Sequence, residues 1–409
     1  MRTERGRERE KTRRHPKTQS IDRAQRRRPT LSLKNTAATA KTKTKTSSNP
    51  ALLASFYDQF IAAVGHRLSP LRLAQLAGAA ATARAASEGG TPAAADAAAA
   101  FLEAVAAELS SSVRHRSTAD EGLDGPVLLL RSLATQHRIR GAGGPEGVRP
   151  AVRELRRELE RQTAASQAAS GFGGGGGDAA PPAPPPAVSA AVHATAAALA
   201  AADGDAGAFY RASLARLAFV APGDGLLSAA EGEQLALDVG AAALLADDVY
   251  SFGELLLHPL IAEALGGGDE EQEGGGKGKV ARGGKHPWLG ALLRALADGD
   301  LPAFEAARAA HSKEIAAARP AVAEAAREED GPLRAKARVC ALFALAASLP
   351  PEGRRSVPLS RVAEAAGLKG GEGEAEFLVM KAVAKGLVRA TIDGVEGSVH
   401  VSCSSFGFF

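Results

Sequence analysis

The stretch EAEFLVMKAVAKGLVRATIDGVEGSVHVSC (374–403) changes period halfway along, and that change decides the fold. Up to Leu387, Phe377, Leu378, Val379, Met380 and Val383 supply the apolar positions of a helix. From Leu387 the pattern alternates around Asp393-Gly394 and Gly397, which predicts two strands joined as a β-hairpin. Just upstream, SVPLSRVAEAAGL (356–368) predicts a short helix with a glycine stop. Helix, helix, hairpin is the order of a winged helix.

Winged helices often read DNA through the second helix, which needs a basic face for phosphates. Here that helix and its lead-in carry Glu372, Glu374 and Glu376 against Lys381 and Lys385. DNA reading by this helix is therefore not expected. The hairpin is the better candidate, because a strand left at a sheet edge offers unpaired backbone groups to a neighbouring protein. A hairpin that merely closes its domain is the plain alternative.

Outward from this point the chain reads as helix after helix. Aromatic residues make up only 4% of the 409 residues, and alanine carries much of the apolar count. That composition favours long, thinly packed helices over a sheet core. Segment 55–77 predicts a helix with Phe56, Phe60, Ile61 and Val64 on one face, then a second helix from Pro70. Segments 95–109, 126–138 and 148–163 continue in the same style. An internal echo, ADGDAGAF (202–209) and ADGDLPAF (297–304), predicts two matching turns. Gly204 or Gly299 ends one helix in the left-handed conformation, Asp205 or Asp300 caps the next, and Phe209 or Phe304 drops between them. Stacked helix pairs of this kind define a tetratricopeptide-like solenoid. The expected fold is mainly α, a helical repeat solenoid followed by a C-terminal winged-helix subdomain.

The expected division is a disordered basic arm (1–50), N-terminal helical repeats (51–170), a Gly/Pro-rich linker or insertion (171–187), a second helical part (188–349) with a flexible loop at 266–286, a winged helix (350–403) and a tail (404–409). The arm holds 16 Lys/Arg and 4 Asp/Glu, whereas 51–409 holds 34 and 42, so the net charge of +4 belongs to the arm alone. Its Arg26-Arg27-Arg28 run suits nuclear import or non-specific nucleic-acid contact, and a solvated arm or over-extended gene model explains it equally. Glu4, Glu8 and Glu10 sit badly with a transit peptide. Two cysteines, Cys340 and Cys403, make no disulfide framework, which favours a reduced intracellular setting. No strongly apolar run is long enough to predict a membrane span.

Reaction chemistry has one candidate. In DVYSFGELLLHPLIAEAL (248–265), Glu254 and His258 stand four apart, on one helix face. Two ligands do not make a metal site. A structural account covers the same residues: Ser251 and Glu254 match the Ser-x-x-Glu capping box, and Phe252, Leu255, Leu256 and Leu257 bury a short helix. Pro259 breaks the helix at His258, which then restarts through Leu260, Ile261 and Leu265. His258 is expected to make a hydrogen bond within the solenoid. P-loop, Gly-x-Ser-x-Gly, His-Glu-x-x-His and Cys-x-x-Cys motifs are missing, so neither enzyme activity nor a cofactor is expected.

Three blocks carry a family resemblance: FYDQFIAAVGHRLSPLRLAQL (56–76), FGELLLHPLIAEAL (252–265) and FLVMKAVAKGLVRATIDGVEGSVHVS (377–402). With helical repeats ending in a winged helix, they resemble the PCI-domain family, shared by the proteasome lid, the signalosome and translation initiation factor three. The blocks point to its proteasome-lid members. The resemblance implies a non-catalytic structural subunit of the regulatory-particle lid, scaffolding ubiquitin-dependent degradation through winged-helix contacts. It implies other lid subunits as partners, PCI neighbours above all, in cytoplasm and nucleus, without a membrane. The resemblance makes 188–349 the helical part of the PCI domain, and Val388, Ala390, Ile392, Val399 and Val401 become candidates for hairpin core or interface. Such proteins continue past the winged helix into a further helix, where this sequence reads CSSFGFF (403–409). That leaves either a truncated or divergent gene model, or docking through the winged helix alone. The alternatives are a PCI scaffold of another complex, or a nucleic-acid-binding winged-helix protein using the basic arm.

Overall fold

A computed structural model of the chain describes residues 54–61, 67–114, 124–170, 183–266, 285–327, 331–349 and 356–402. The predicted arm, most of the Gly/Pro-rich linker, most of the 266–286 loop and the tail lie outside them. The described residues begin with a π-helical turn at Tyr57–Ile61. Here the inward side chain is Tyr57, which meets the Phe101 ring edge-on at 5.3 Å, whereas the expected Phe56 is exposed. Val64 lies outside the described residues.

Five helices follow: α1 (Pro70–Ser87), α2 (Pro92–Arg114), α3 (Asp124–Arg140), α4 (Arg149–Ser170) and α5 (Pro186–Asp203). Ser69 caps α1 by accepting from the Arg72 N–H at 3.4 Å, and Pro70 fills the first turn, where no N–H is needed. α1 packs against α2 and α3 through Ala74, Ala77, Ala80 and Ala81, all fully buried. Small side chains let the helix backbones come close, and Leu102, Leu130 and Val188 fill the space between. Beside the same cluster, Gln136 of α3 donates to Thr195 of α5 (3.0 Å), which pairs these two polar side chains across the helices.

The duplicated turn forms twice as predicted. Gly204 (φ 73°) ends α5 and Gly299 (φ 66°) ends α10 (Pro287–Asp298), both left-handed. Asp205 then accepts from the Ala208 N–H at 2.8 Å to open α6 (Ala206–Leu217). Asp300 accepts from Ala303 at 2.9 Å to open α11 (Leu301–Ala310). Phe304 is fully buried and Phe209 half-buried.

Between and after these turns lie α7 (Ala229–Leu245), α8 (Gly253–Leu257), α9 (Pro259–Leu265), α12 (Ser312–Ala318), α13 (Pro320–Arg327) and α14 (Pro332–Ser348). One core joins them, with Phe252, Ile261, Leu289, Leu293 and Phe304 at its centre. Burying each such side chain stabilises the fold by about 1.5–3 kcal/mol.

The C-terminal part is a winged helix: β1 (Val357–Pro358), α15 (Leu359–Ala365), α16 (Glu372–Ala384), β2 (Arg389–Asp393) and β3 (Ser398–Ser402). The antiparallel sheet has the order β1-β3-β2, with Val399 opposite both Val357 and Ile392. β1 was not predicted, because two residues are too few to show alternation. At the hairpin turn the Asp393 carboxylate accepts from the N–H groups of Val395 (2.9 Å) and Glu396 (3.1 Å). Leu342 and Ala346 of α14 belong to the winged-helix core, which fixes the subdomain to the last helix of the solenoid. No helix among the described residues is long and apolar enough to cross a membrane.

Candidate interaction surface

The hairpin residues singled out from sequence point inward. Val388, Val399 and Val401 are buried, and Ala390 and Ile392 pack against the same core half-buried. Arg389, Thr391 and His400 take the outer face. What the hairpin offers a neighbour is therefore backbone: β3 lies between β1 and β2, and β2 has no second strand beside it among the described residues.

α16 buries only part of its predicted apolar set. Leu378 and Val379 face the core, but Phe377 is 64% exposed, Met380 48% and Val383 38%. Ala375, Leu378, Val379 and Ala382 already fill the inner face, so the other three form a slanting apolar row outside. Glu372 and Glu374 sit in the first turn, so this exposed helix has the wrong charge for phosphate.

The block 248–265 contains two corrections. Ser251 and Glu254 form no capping box: α8 begins at Gly253 with Phe252 as its N-cap and no side-chain cap bond. Phe252 is buried to 1% exposure and anchors the helix one residue later than predicted, moving Glu254 to the second helical position. The Ser251 carbonyl instead accepts from the Tyr210 hydroxyl at 3.1 Å, and burial pushes that phenol up to about 12, keeping its proton in place. Leu257, expected to be buried, is 84% exposed. A true capping box lies elsewhere, at Ser228 and Glu231 before α7.

His258 stands at the joint. Its extended backbone (φ −69°, ψ 127°) ends α8 and precedes Pro259, the first residue of α9. Its carbonyl accepts from Ile261 (3.0 Å) and Ala262 (2.9 Å). Its ring Nε2 lies 3.1 Å from the carbonyl of Leu217, the last residue of α6; a carbonyl can only accept, so Nε2 carries the proton. Among the described residues no group of three His, Cys, Asp or Glu is placed to hold a metal ion.

Two lysines matter that sequence reading missed. Lys336 of α14 is 4% exposed, and its Nζ donates to the carbonyls of Ala243 (2.5 Å), Leu244 (3.3 Å) and Ala246 (2.7 Å). These are the orphan acceptors at the end of α7. Burial lowers the ammonium to about 8. The signal in the sequence was a lysine flanked at helical spacing by Leu333, Val339 and Cys340, a charge on an apolar face. Burial likewise pushes the Cys340 thiol up to about 12, which leaves it inert. Lys385, after α16, donates to the Asp247 carbonyl (2.9 Å) and the Tyr250 hydroxyl (3.2 Å), joining the winged helix to the loop behind α7.

A helical solenoid whose last helix packs into an antiparallel winged helix defines the class of fold. Residues 347–402 match the family model of the PCI domain, so the chain carries that domain. Residues 182–272 match the model of PSD13 N-terminal repeats. The chain is similar to 26S proteasome non-ATPase regulatory subunit 13 homolog A of Arabidopsis thaliana, 31% identical over 194 residues (47% of this chain, 43% of the relative). It is 28% identical over 201 residues to 26S proteasome non-ATPase regulatory subunit 13 of Dictyostelium discoideum (49% and 45%). With 26S proteasome regulatory subunit RPN9 of Saccharomyces cerevisiae it shares 29% over 198 residues (48% and 43%). Each alignment spans less than half the relative's own length.

Proposed function

We propose that the chain is a non-catalytic structural subunit of the 26S proteasome regulatory-particle lid, acting in ubiquitin-dependent degradation by holding neighbouring subunits together. The observation that carries this reading is the pairing, on one chain, of PSD13-type repeats at 182–272 with a PCI domain at 347–402. The open edge of β2 supports a contact made through backbone hydrogen bonds with an adjacent PCI subunit. The acidic first turn of α16 favours a protein partner over nucleic acid. Cytoplasm and nucleus, where such lids work, are the proposed locations. Affinity purification of the full chain from its own cells, followed by native mass spectrometry, tests the reading. Co-purification of the lid subunits is the expected result, and recovery of the chain free of them overturns it.

A further inference from the structure

The loop between α7 and α8, residues 246–252, is held by two lysines from different elements. Lys336 of α14 takes the carbonyls of Ala243, Leu244 and Ala246. Lys385, after α16, donates to the Asp247 carbonyl (2.9 Å) and the Tyr250 hydroxyl (3.2 Å). Both ammonium groups lie over the Tyr250 ring, 5.5 Å and 5.6 Å from its centroid. Through that ring the loop enters the junction, beside Val339 and Phe343 of α14 and Ala366 and Leu378 of the winged helix. The two lysines differ in access: Lys336 is buried and Lys385 is exposed. A protonated Lys385 has three N–H groups and serves both of its acceptors at once. An acyl thioester reacting at Nζ forms a carbon–nitrogen bond and breaks its carbon–sulfur bond. Of the three ammonium protons, one goes to the departing thiolate, one to water, and one stays on nitrogen. The amide is neutral with a single N–H, so it serves one acceptor and loses its attraction to the ring.

We propose that Lys385 is an acylation site, and that its neutralisation by an acyl thioester loosens the 246–252 loop from the winged helix. The switch is internal to the chain and does not depend on the proteasome reading. Its test uses the purified full chain carrying Lys385→Nε-acetyllysine, beside Lys385→Gln and Lys385→Arg. The amides of Ala246, Gly386 and Leu387, each hydrogen-bonded to backbone beside the clasp, report on it by hydrogen exchange. Their protection is expected to fall about threefold or more with acetyllysine and with Gln, and to hold with Arg, which keeps the charge. Unchanged protection, an equal loss with Arg, or a loss spread over the whole chain overturns the proposal. Separately, the natural chain incubated with acetyl-coenzyme A at mildly alkaline pH is expected to be acetylated at Lys385 and not at Lys336. Peptide mapping that finds Lys385 unmodified, or Lys336 modified as fast, also overturns it.

Discussion

The Nζ of Lys336 sits 2.7 Å from the carbonyl oxygen of Ala246 and 2.5 Å from that of Ala243, so a cation from α14 closes the end of α7, some 90 residues earlier in the chain. Removing the amine leaves buried acceptors unpaired. Lys336→Met is expected to cost about 3 kcal/mol at neutral pH, measured by urea denaturation.

The same lysine gives a pH dependence with a definite sign. Its folded value of about 8 lies below the ordinary 10.5, so between these two the unfolded chain binds more protons than the folded one. Unfolding free energy therefore rises with pH in that window, and below pH 8 the group contributes no slope. The stability of the natural chain minus that of Lys336→Met should grow by roughly 3 kcal/mol from pH 8 to 10.5. A flat difference would contradict the burial assigned to this side chain.

The twin turns predict unequal responses to one substitution. A Cβ on Gly204 meets nothing within 4 Å, so Gly204→Ala costs only the left-handed backbone, about 1 kcal/mol. A Cβ on Gly299 would lie 2.5 Å from Ala344 and 2.7 Å from the Cys340 carbonyl, so Gly299→Ala adds a clash with α14. Its total is expected near ~3 kcal/mol. Thermal melts of the two variants measured side by side check the ordering.

Ser228→Ala and Ser251→Ala separate a capping box from a sequence that imitates one. The first is expected to destabilise by about 1 kcal/mol and the second, which loses no cap bond, by less than about 0.5 kcal/mol. Equal losses would restore the cap predicted at Ser251.

His258→Ala removes the donor to Leu217 and is expected to cost about 1 kcal/mol. Stoichiometric zinc should leave the melting temperature of both forms unchanged. A zinc-dependent rise lost in the variant would make His258 a ligand after all.

Local chemistry was readable from sequence wherever backbone geometry depends on adjacent residues. The Gly-Asp turns, the break at Pro259 and the period change into the hairpin are of this kind. The register of α8 was not, because burial of Phe252 outweighed the Ser-x-x-Glu pattern, a tertiary effect of a kilocalorie or two. The outward row on α16 was equally hidden: its five apolar residues fit a helix, but which of them face in depends on what α14 and the strands supply. Lys336 was missed because its acceptors are carbonyls, which every residue has and no sequence distinguishes.

The helix ends share one device. The carbonyl of Leu217 is met by His258, those of Ala243, Leu244 and Ala246 by Lys336, that of Gly266 by Arg294 (3.1 Å), and that of Ala326 by Arg308 (2.7 Å). Repeat arrays stitched only between neighbours can unzip one unit at a time. Here, peeling any of these helices away strands a donor on a different one, and the α7–α14 stitch spans most of the second half of the solenoid. Losing either α7 or α14 leaves buried polar groups of the other unpaired, which couples two elements some 90 residues apart in the chain.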